Sequence, residues 1–250
     1  MKFLRFRTDL AEKKGIIEKG KIRRIIGNIF TDFTVTDEFY EFEEIHYLPP
    51  VIPSKIICVG RNYAEHASEL NNLLPENPLI FLKPPSAIIA NEETILYPEQ
   101  SHQVDYEGEL AVVIGKRCKN IAEKNALDAI FGFTCFNDVT ARDIQKLEKS
   151  FTRAKSFDTF APVGPIIETE IDLENTPIKT YINGNLKQNS NINKMIFKIP
   201  YLISFISSIM TLYPGDIIAT GTPEGVGSLK KGDITEITIH NIGTLKNYVG

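Results

Sequence analysis

The sequence has no surplus of basic residues, no long apolar run and little cysteine, and each absence narrows what the chain can be. Lys and Arg total 28 against 32 Asp and Glu, a formal net charge of −4. Chains that bind polyanions normally carry a basic excess, so nucleic-acid binding is not expected. No stretch approaches the ~20 consecutive apolar residues of a membrane helix, so no membrane association is expected. The opening residues, MKFLRFRTDLAEKKG, lack the apolar segment of a secretory signal. Three cysteines, Cys58, Cys118 and Cys135, are too few and too scattered for a disulfide scaffold or a cysteine zinc site. They are expected to be reduced thiols in a cytoplasmic protein. There is no internal repeat and no low-complexity tract.

What is present is an ordinary globular balance over 250 residues, with 42% hydrophobic and 24% charged residues. That length suits one large domain, or one domain with a small appendage. The first 50 residues stand apart. Residues 1–24 carry nine basic and three acidic residues, whereas residues 25–50 carry six acidic residues and no Lys or Arg. Short alternating stretches such as MKFLRFR and FTDFTVTDEF predict strands whose opposite charges pair. A small β domain is expected over 1–50, closed by Pro49, Pro50 and Pro53, with a second unit over 51–250.

The second unit mixes short strands with scattered helices. KIICVG and FTCFNDV read as buried strands, and VDYEGELAVVIG as a strand closed by Gly115. RNYAEHASELNNLLPENP, NIAEKNALDAIFG and TARDIQKLEKS read as helical, the last starting near Thr140. MIFKIPYLISFISSIM reads as a helix with Pro200 in its first turn. The fold class is therefore α+β and β-rich.

The chemistry concentrates in a few places. On a strand, Glu107 and Glu109 project from one face about 7 Å apart, at ~3.4 Å per residue. Gly108 between them has no side chain to neutralise the pair. Two such carboxylates repel unless a proton or a hard divalent cation intervenes; two solvated glutamates on an edge strand are the alternative. Asp138 ends an apolar strand before a helix, either as a ligand or as a helix cap. His66 and Glu69, three apart on a helix, share a face and form a possible general base, or else a surface ion pair. Lys155 could neutralise a carboxylate or developing enolate, or could be a solvated surface lysine. TGTPEGVG lacks P-loop and Rossmann spacing and reads as a tight turn that could offer backbone N–H groups to a ligand.

These segments together resemble the fumarylacetoacetate hydrolase family. The strings that carry the resemblance are GRNYAEHASE, FLKPPSAI, VDYEGELAVVIGK, FGFTCFNDVTARDIQ, AKSFDTFAPVGP, MIFKIPYLISFIS and TLYPGDIIATGTPEGVG. They run in order from about Lys55 to the C-terminus. The first 50 residues look like the small β domain that precedes the catalytic domain in many bacterial members. The resemblance implies a mixed β-roll or sandwich with flanking helices, and a homodimer. It implies a divalent metal, Mg²⁺ or alternatively Mn²⁺ or Ca²⁺, held by Glu107, Glu109 and Asp138. It implies catalysis by His66, Glu69 and Lys155, with His66 and Glu69 on a closing helix. Arg61, Arg142, Gln145, Thr159 and Thr222 match positions that bind substrate.

Longer members add an aspartate ligand before the His, which ICVGRNY does not supply. The similarity is therefore to the short acylpyruvase and oxaloacetate-handling branch. The expected substrate is a small 2-oxo acid. The expected reaction is hydrolysis of a C–C bond in an acylpyruvate through a metal-stabilised enolate. The same enolate would serve an oxaloacetate decarboxylase or tautomerase, or a 2-hydroxyhepta-2,4-diene-1,7-dioate isomerase. A non-catalytic metal-binding scaffold is disfavoured because the whole residue set is present.

Overall fold

The computed structural model describes residues 1–9, 11–69, 73–148 and 150–250. Among the described residues, strands dominate and gather into three sheets. The largest has twelve strands. Its path runs through Phe33–Tyr40, Lys21–Gly27, Ala11–Glu18 and Lys2–Thr8, then Ala161–Glu168, Ile130–Asn137, Gly108–Ile114, Ile217–Ala219, Ile56–Gly60 and Leu79–Lys83. A five-stranded sheet contains Asn185–Asn191, Pro177–Ile182, Ile234–Ile239, Gly243–Val249 and Thr94–Ile95. A three-stranded sheet joins Thr140–Ala141, Val104–Tyr106 and Gly227–Ser228.

A small β region is present at the N-terminus, and its strands continue the large sheet. Lys2–Thr8 pairs antiparallel with Ala161–Glu168 at Lys2↔Glu168 and Phe3↔Ile167. The segregated charges meet across neighbouring strands, as Arg24 with Glu38 and Arg23 with Asp37. These pairs are largely solvated, so they set register more than they add stability.

Gly108–Ile114 lies at the centre and is buried along its whole length. Leu110, Val112 and Ile114 face one core, with Ile178, Ile237 and Ile239 of the five-stranded sheet and Leu202, Ile203 and Ile206 of the helix Ile199–Ile209. Ala111 and Val113 face a second core with Cys58, Phe136, Val163 and Ala219. Pro177–Ile182 and Ile234–Ile239 alternate buried and half-buried residues, as strands with one packed face do. Pro200 sits in the first turn of Ile199–Ile209, where its missing N–H costs nothing. Among the described residues no helix is long and apolar enough to cross a membrane. The three cysteines are free.

The elements differ from the expected pattern in three places. The stretch read as one strand from Val104 to Ile114 is two, Val104–Tyr106 and Gly108–Ile114, which belong to different sheets. The helix expected from Thr140 begins at Arg142, because Thr140–Ala141 pairs with Val104 and Asp105 as strand. NIAEKNALDAIFG forms a 3₁₀ helix, Glu123–Ala129. The helix after Arg61 spans Ala64–Glu69, and its expected continuation over 70–72 lies outside the described residues.

Gly108 lies on the face pressed against the five-stranded sheet. A Cβ there would fall 2.1 Å from Thr180 Oγ1 and 3.0 Å from Gln188 Oε1. Such crowding demands a shift inside a packed interior. Gly108→Ala is therefore expected to lower stability by ~1–3 kcal/mol, the usual cost of overpacking. Denaturant unfolding checks this, and an unchanged midpoint would contradict the packing argument.

Candidate active site

Glu107 and Glu109 flank Gly108, so with Gly108 turned toward the five-stranded sheet they project to the other side. Phe136, opposite Glu109 in the antiparallel ladder, shares that face, and Asp138 follows two residues on. The junction is tied by backbone: the Asp138 N–H donates to the Glu107 carbonyl at 2.9 Å, and the Glu107 N–H to Asn137 Oδ1 at 3.0 Å. Oxygen atoms of Glu107, Glu109 and Asp138 lie within 4.8 Å of one another, and all three residues are buried. They are not solvated edge glutamates, and Asp138 is not a helix cap; the residue preceding helix Arg142–Leu147 is Ala141.

Fixed cations offset much of this charge. Lys155, on the short helix Thr152–Lys155, is 2% exposed and donates to Glu107 Oε2 at 2.8 Å and to Asp138 Oδ2 at 2.6 Å. Arg142 donates to Asp105 Oδ2 at 2.8 Å and to Glu107 Oε1 at 2.5 Å. Lys83 reaches Asp138 Oδ1 at 2.5 Å. Burial pushes Glu107 upward, but Lys155 and Arg142 outweigh it and hold the carboxylate below its usual range. Glu109 goes the other way. Burial, then the neighbouring Asp138 and Glu107 charges, drive it well above the ordinary value. Its hydrogen bond is a single backbone donor, the Gly221 N–H at 2.8 Å from Oε2.

Among the described residues, four carboxylates thus face three fixed cations, and Glu109 is the carboxyl group that no cation bonds. A buried all-oxygen donor set with one carboxyl group lacking a cationic partner, whose proton a metal ion would displace, fits a hard divalent cation. The described residues of this chain therefore fit the metal expected from the resemblance. A cleft of about 240 Å³ opens onto the cluster, and His66, Arg61, Gln145 and Thr222 are among its other lining residues. His66 is 5% exposed, and Nδ1 faces Glu69 Oε2 at 3.5 Å, beyond a good hydrogen bond. Burial lowers the His66 pKa, against the Glu107 and Glu69 charges, which favour the charged ring.

Of the other expected residues, Arg61 lines the cleft from a left-handed backbone position, φ +58°. Gln145 Oε1 accepts from Arg142 Nη1 at 2.6 Å. Thr222 donates to the Gly108 carbonyl at 2.9 Å and accepts from Gln188 Nε2 at 2.8 Å, so its hydroxyl braces the glutamate strand. Thr159 is not brought to the cleft. Its hydroxyl accepts the Leu96 N–H at 2.8 Å, from a left-handed backbone position, φ +73°. The TGTPEGVG turn does present N–H groups, but to protein carboxylates: Gly221 to Glu109, and Gly225 to Glu69 at 3.2 Å. Two buried residues escaped the sequence reading. Asp105 stands one strand alternation before Glu107, and Lys83 is a lone cation closing LIFL before Pro84-Pro85.

A model described as "Fumarylacetoacetate (FAA) hydrolase C-terminal" matches residues 55–250, and one described as "Rv2993c-like, N-terminal" matches residues 1–50. The chain belongs to the fumarylacetoacetate hydrolase family. It is 44% identical over 226 residues to the oxaloacetate tautomerase YisK of Bacillus subtilis, covering 84% of this chain and 75% of that one. It is 46% identical over 219 residues to the mitochondrial oxaloacetate tautomerase FAHD2B of Bos taurus, covering 82% and 70%. The crystal structure of 2-hydroxyhepta-2,4-diene-1,7-dioate isomerase from Mycobacterium marinum superposes with a TM-score of 0.93 at 39% identity, covering 100% of this chain and 99% of that one.

In this family member Lys155 is the shared counter-charge of two buried carboxylates. Lys155→Met is expected to cost ~3–5 kcal/mol in EDTA, the usual effect of breaking a buried ion pair. Added Mn²⁺ is expected to recover part of it. Thermal unfolding with and without metal checks this, and an unchanged unfolding temperature in EDTA would contradict it.

Proposed function

We propose that this chain is a divalent-metal-dependent enzyme acting on small 2-oxo acids, and that it interconverts the keto and enol forms of oxaloacetate. The observation that carries the reading is one cleft holding the Glu107, Glu109 and Asp138 cluster, the Lys155 ammonium and the buried His66 imidazole. The two relatives named oxaloacetate tautomerase favour this reaction.

Glu107, Glu109 and Asp138 would hold Mg²⁺, with Mn²⁺ or Ca²⁺ as alternatives of like oxygen preference. When bound, the ion supplies Lewis-acid stabilisation of an enolate. The rest falls to the chain. Lys155 places a positive charge on the cleft wall beside the carboxylate cluster, where enolate charge would develop. With Nδ1 turned to Glu69, His66 has Nε2 to accept the proton leaving the carbon between the ketone and the distal carboxylate and to deliver it to the former ketone oxygen, which gives the enol; the reverse order regenerates the ketone. Glu69 stabilises the imidazolium while it exists. Arg142, locked to Asp105 and Glu107, contributes fixed charge, and Arg61 on the wall attracts a substrate carboxylate.

C–C bond hydrolysis of an acylpyruvate is the second reading, favoured by the same His66–Glu69 pair, which could equally deprotonate a water. Oxaloacetate decarboxylation and hydroxydienoate isomerisation draw on the same enolate. The chain is also proposed to work as a homodimer, as the family resemblance implies; light scattering in solution checks this.

A panel of enol and keto oxaloacetate, acetylpyruvate and a hydroxydienoate, each with and without EDTA, separates the reactions. Rapid EDTA-sensitive loss of the oxaloacetate enol absorbance is expected. Turnover of acetylpyruvate alone would replace tautomerisation by hydrolysis. His66→Ala is expected to lower kcat by ~10²–10⁴-fold, the usual range for general acid–base catalysis, with Mn²⁺ affinity unchanged by calorimetry. Near-full activity in this variant would remove His66 from the mechanism.

A further inference from the structure

We propose that Lys83 is a positioning residue that fixes the Asp138 carboxylate for cation binding, an inference that rests on reading Glu107, Glu109 and Asp138 as a cation site. Lys83 ends Leu79–Lys83, the last strand of the large sheet, where its backbone pairs with Ile56. It is 1% exposed. Its ammonium donates to Asp138 Oδ1 at 2.5 Å and to the Val139 carbonyl at 3.0 Å. It also lies 6.0 Å from the centre of the Phe136 ring.

A buried ammonium is costly unless its donors are satisfied, so an ordinary solvated lysine is excluded here. Lys83 is not among the residues lining the cleft, so it does not meet substrate there. Its influence runs through Asp138. That carboxylate is gripped from two sides, by Lys83 on Oδ1 and Lys155 on Oδ2, while its own N–H is held by the Glu107 carbonyl. Lys155 belongs to the cleft wall, whereas Lys83 is anchored in the sheet. Lys83 is thus the fixed reference that sets the plane of the Asp138 carboxylate relative to Glu107 and Glu109. Outer partners of this kind orient metal-binding side chains, and their loss typically weakens affinity ~10–100-fold.

The sign of the effect separates orientation from simple charge. Removing a cation beside a metal site should by itself tighten metal binding. Removing the clamp on Asp138 should loosen it. The test is Mn²⁺ titration of the full chain by calorimetry, with the electron paramagnetic resonance spectrum of the bound ion as a second readout. Lys83→Met is expected to bind Mn²⁺ ~10–100-fold more weakly than wild type and to show an altered spectrum. Lys83→Arg, which keeps charge and donors, is expected to restore most of both. Wild-type or tighter affinity in Lys83→Met overturns the proposal. If Lys83→Met does not fold, Lys83→Ala, compared against Lys83→Arg, decides by the same two outcomes. A wild-type chain that binds no Mn²⁺ overturns the cation-site reading itself. Normal wild-type binding with an unaffected Lys83→Met overturns only the role given to Lys83.

Discussion

Three carboxylates buried within a few ångströms cannot all remain ionised without positive charge beside them, and the site is organised around that constraint. Lys155 lies across Glu107 and Asp138, Arg142 lies across Glu107 and Asp105, and Lys83 closes the back of Asp138. Glu109 is left with one backbone donor and the like charges of its neighbours. The cluster is therefore stable at its rim and under-neutralised at its centre. A hard cation would supply there what the side chains do not.

The fold delivers this arrangement through one close approach. Gly108 lets the large sheet and the five-stranded sheet meet where a Cβ would collide with Thr180, and that contact turns the flanking glutamates toward the other core. The chain also changes sheet at Glu107, leaving one ladder at Tyr106 and entering another at Gly108. Glu109 and the approach to Asp138 therefore stand on strands in the middle of the molecule. His66, Arg142 and Lys155 come from short helices around the cleft. Rigid strands hold the charge cluster, and the His66 imidazole arrives from its border.

Much of the site was legible in the residues. Strand alternation put Glu107 and Glu109 on one face, and a three-residue interval joined His66 to Glu69. The ordered strings from Lys55 onward identified the family and with it the carboxylate set. Other features had no local signal. Lys83 looks like any lysine before a proline pair, because its burial arises from strand pairing with Ile56 and from Asp138, 55 residues away. Asp105 sat in plain view, but Arg142 as its partner was set by the packing of a helix against the three-stranded sheet. Thr159 matched a motif and was still carried out of the cleft by a left-handed backbone turn that bonds it to Leu96.

The sequence by itself determined the β-rich class, the pairing of opposite charges in the first 50 residues, the family, and which side chains have chemistry to offer. These depend on residue type and short-range periodicity, which survive without knowledge of partners. Only the tertiary structure decided which carboxylates are neutralised and by which cations, that the glycine turn serves Glu109 and Glu69, and that Gly108 is a packing requirement. Those outcomes depend on burial and on distances between segments far apart in the chain. In a medium that screens poorly, such distances decide whether a charge is solvated, paired or left to attract an ion.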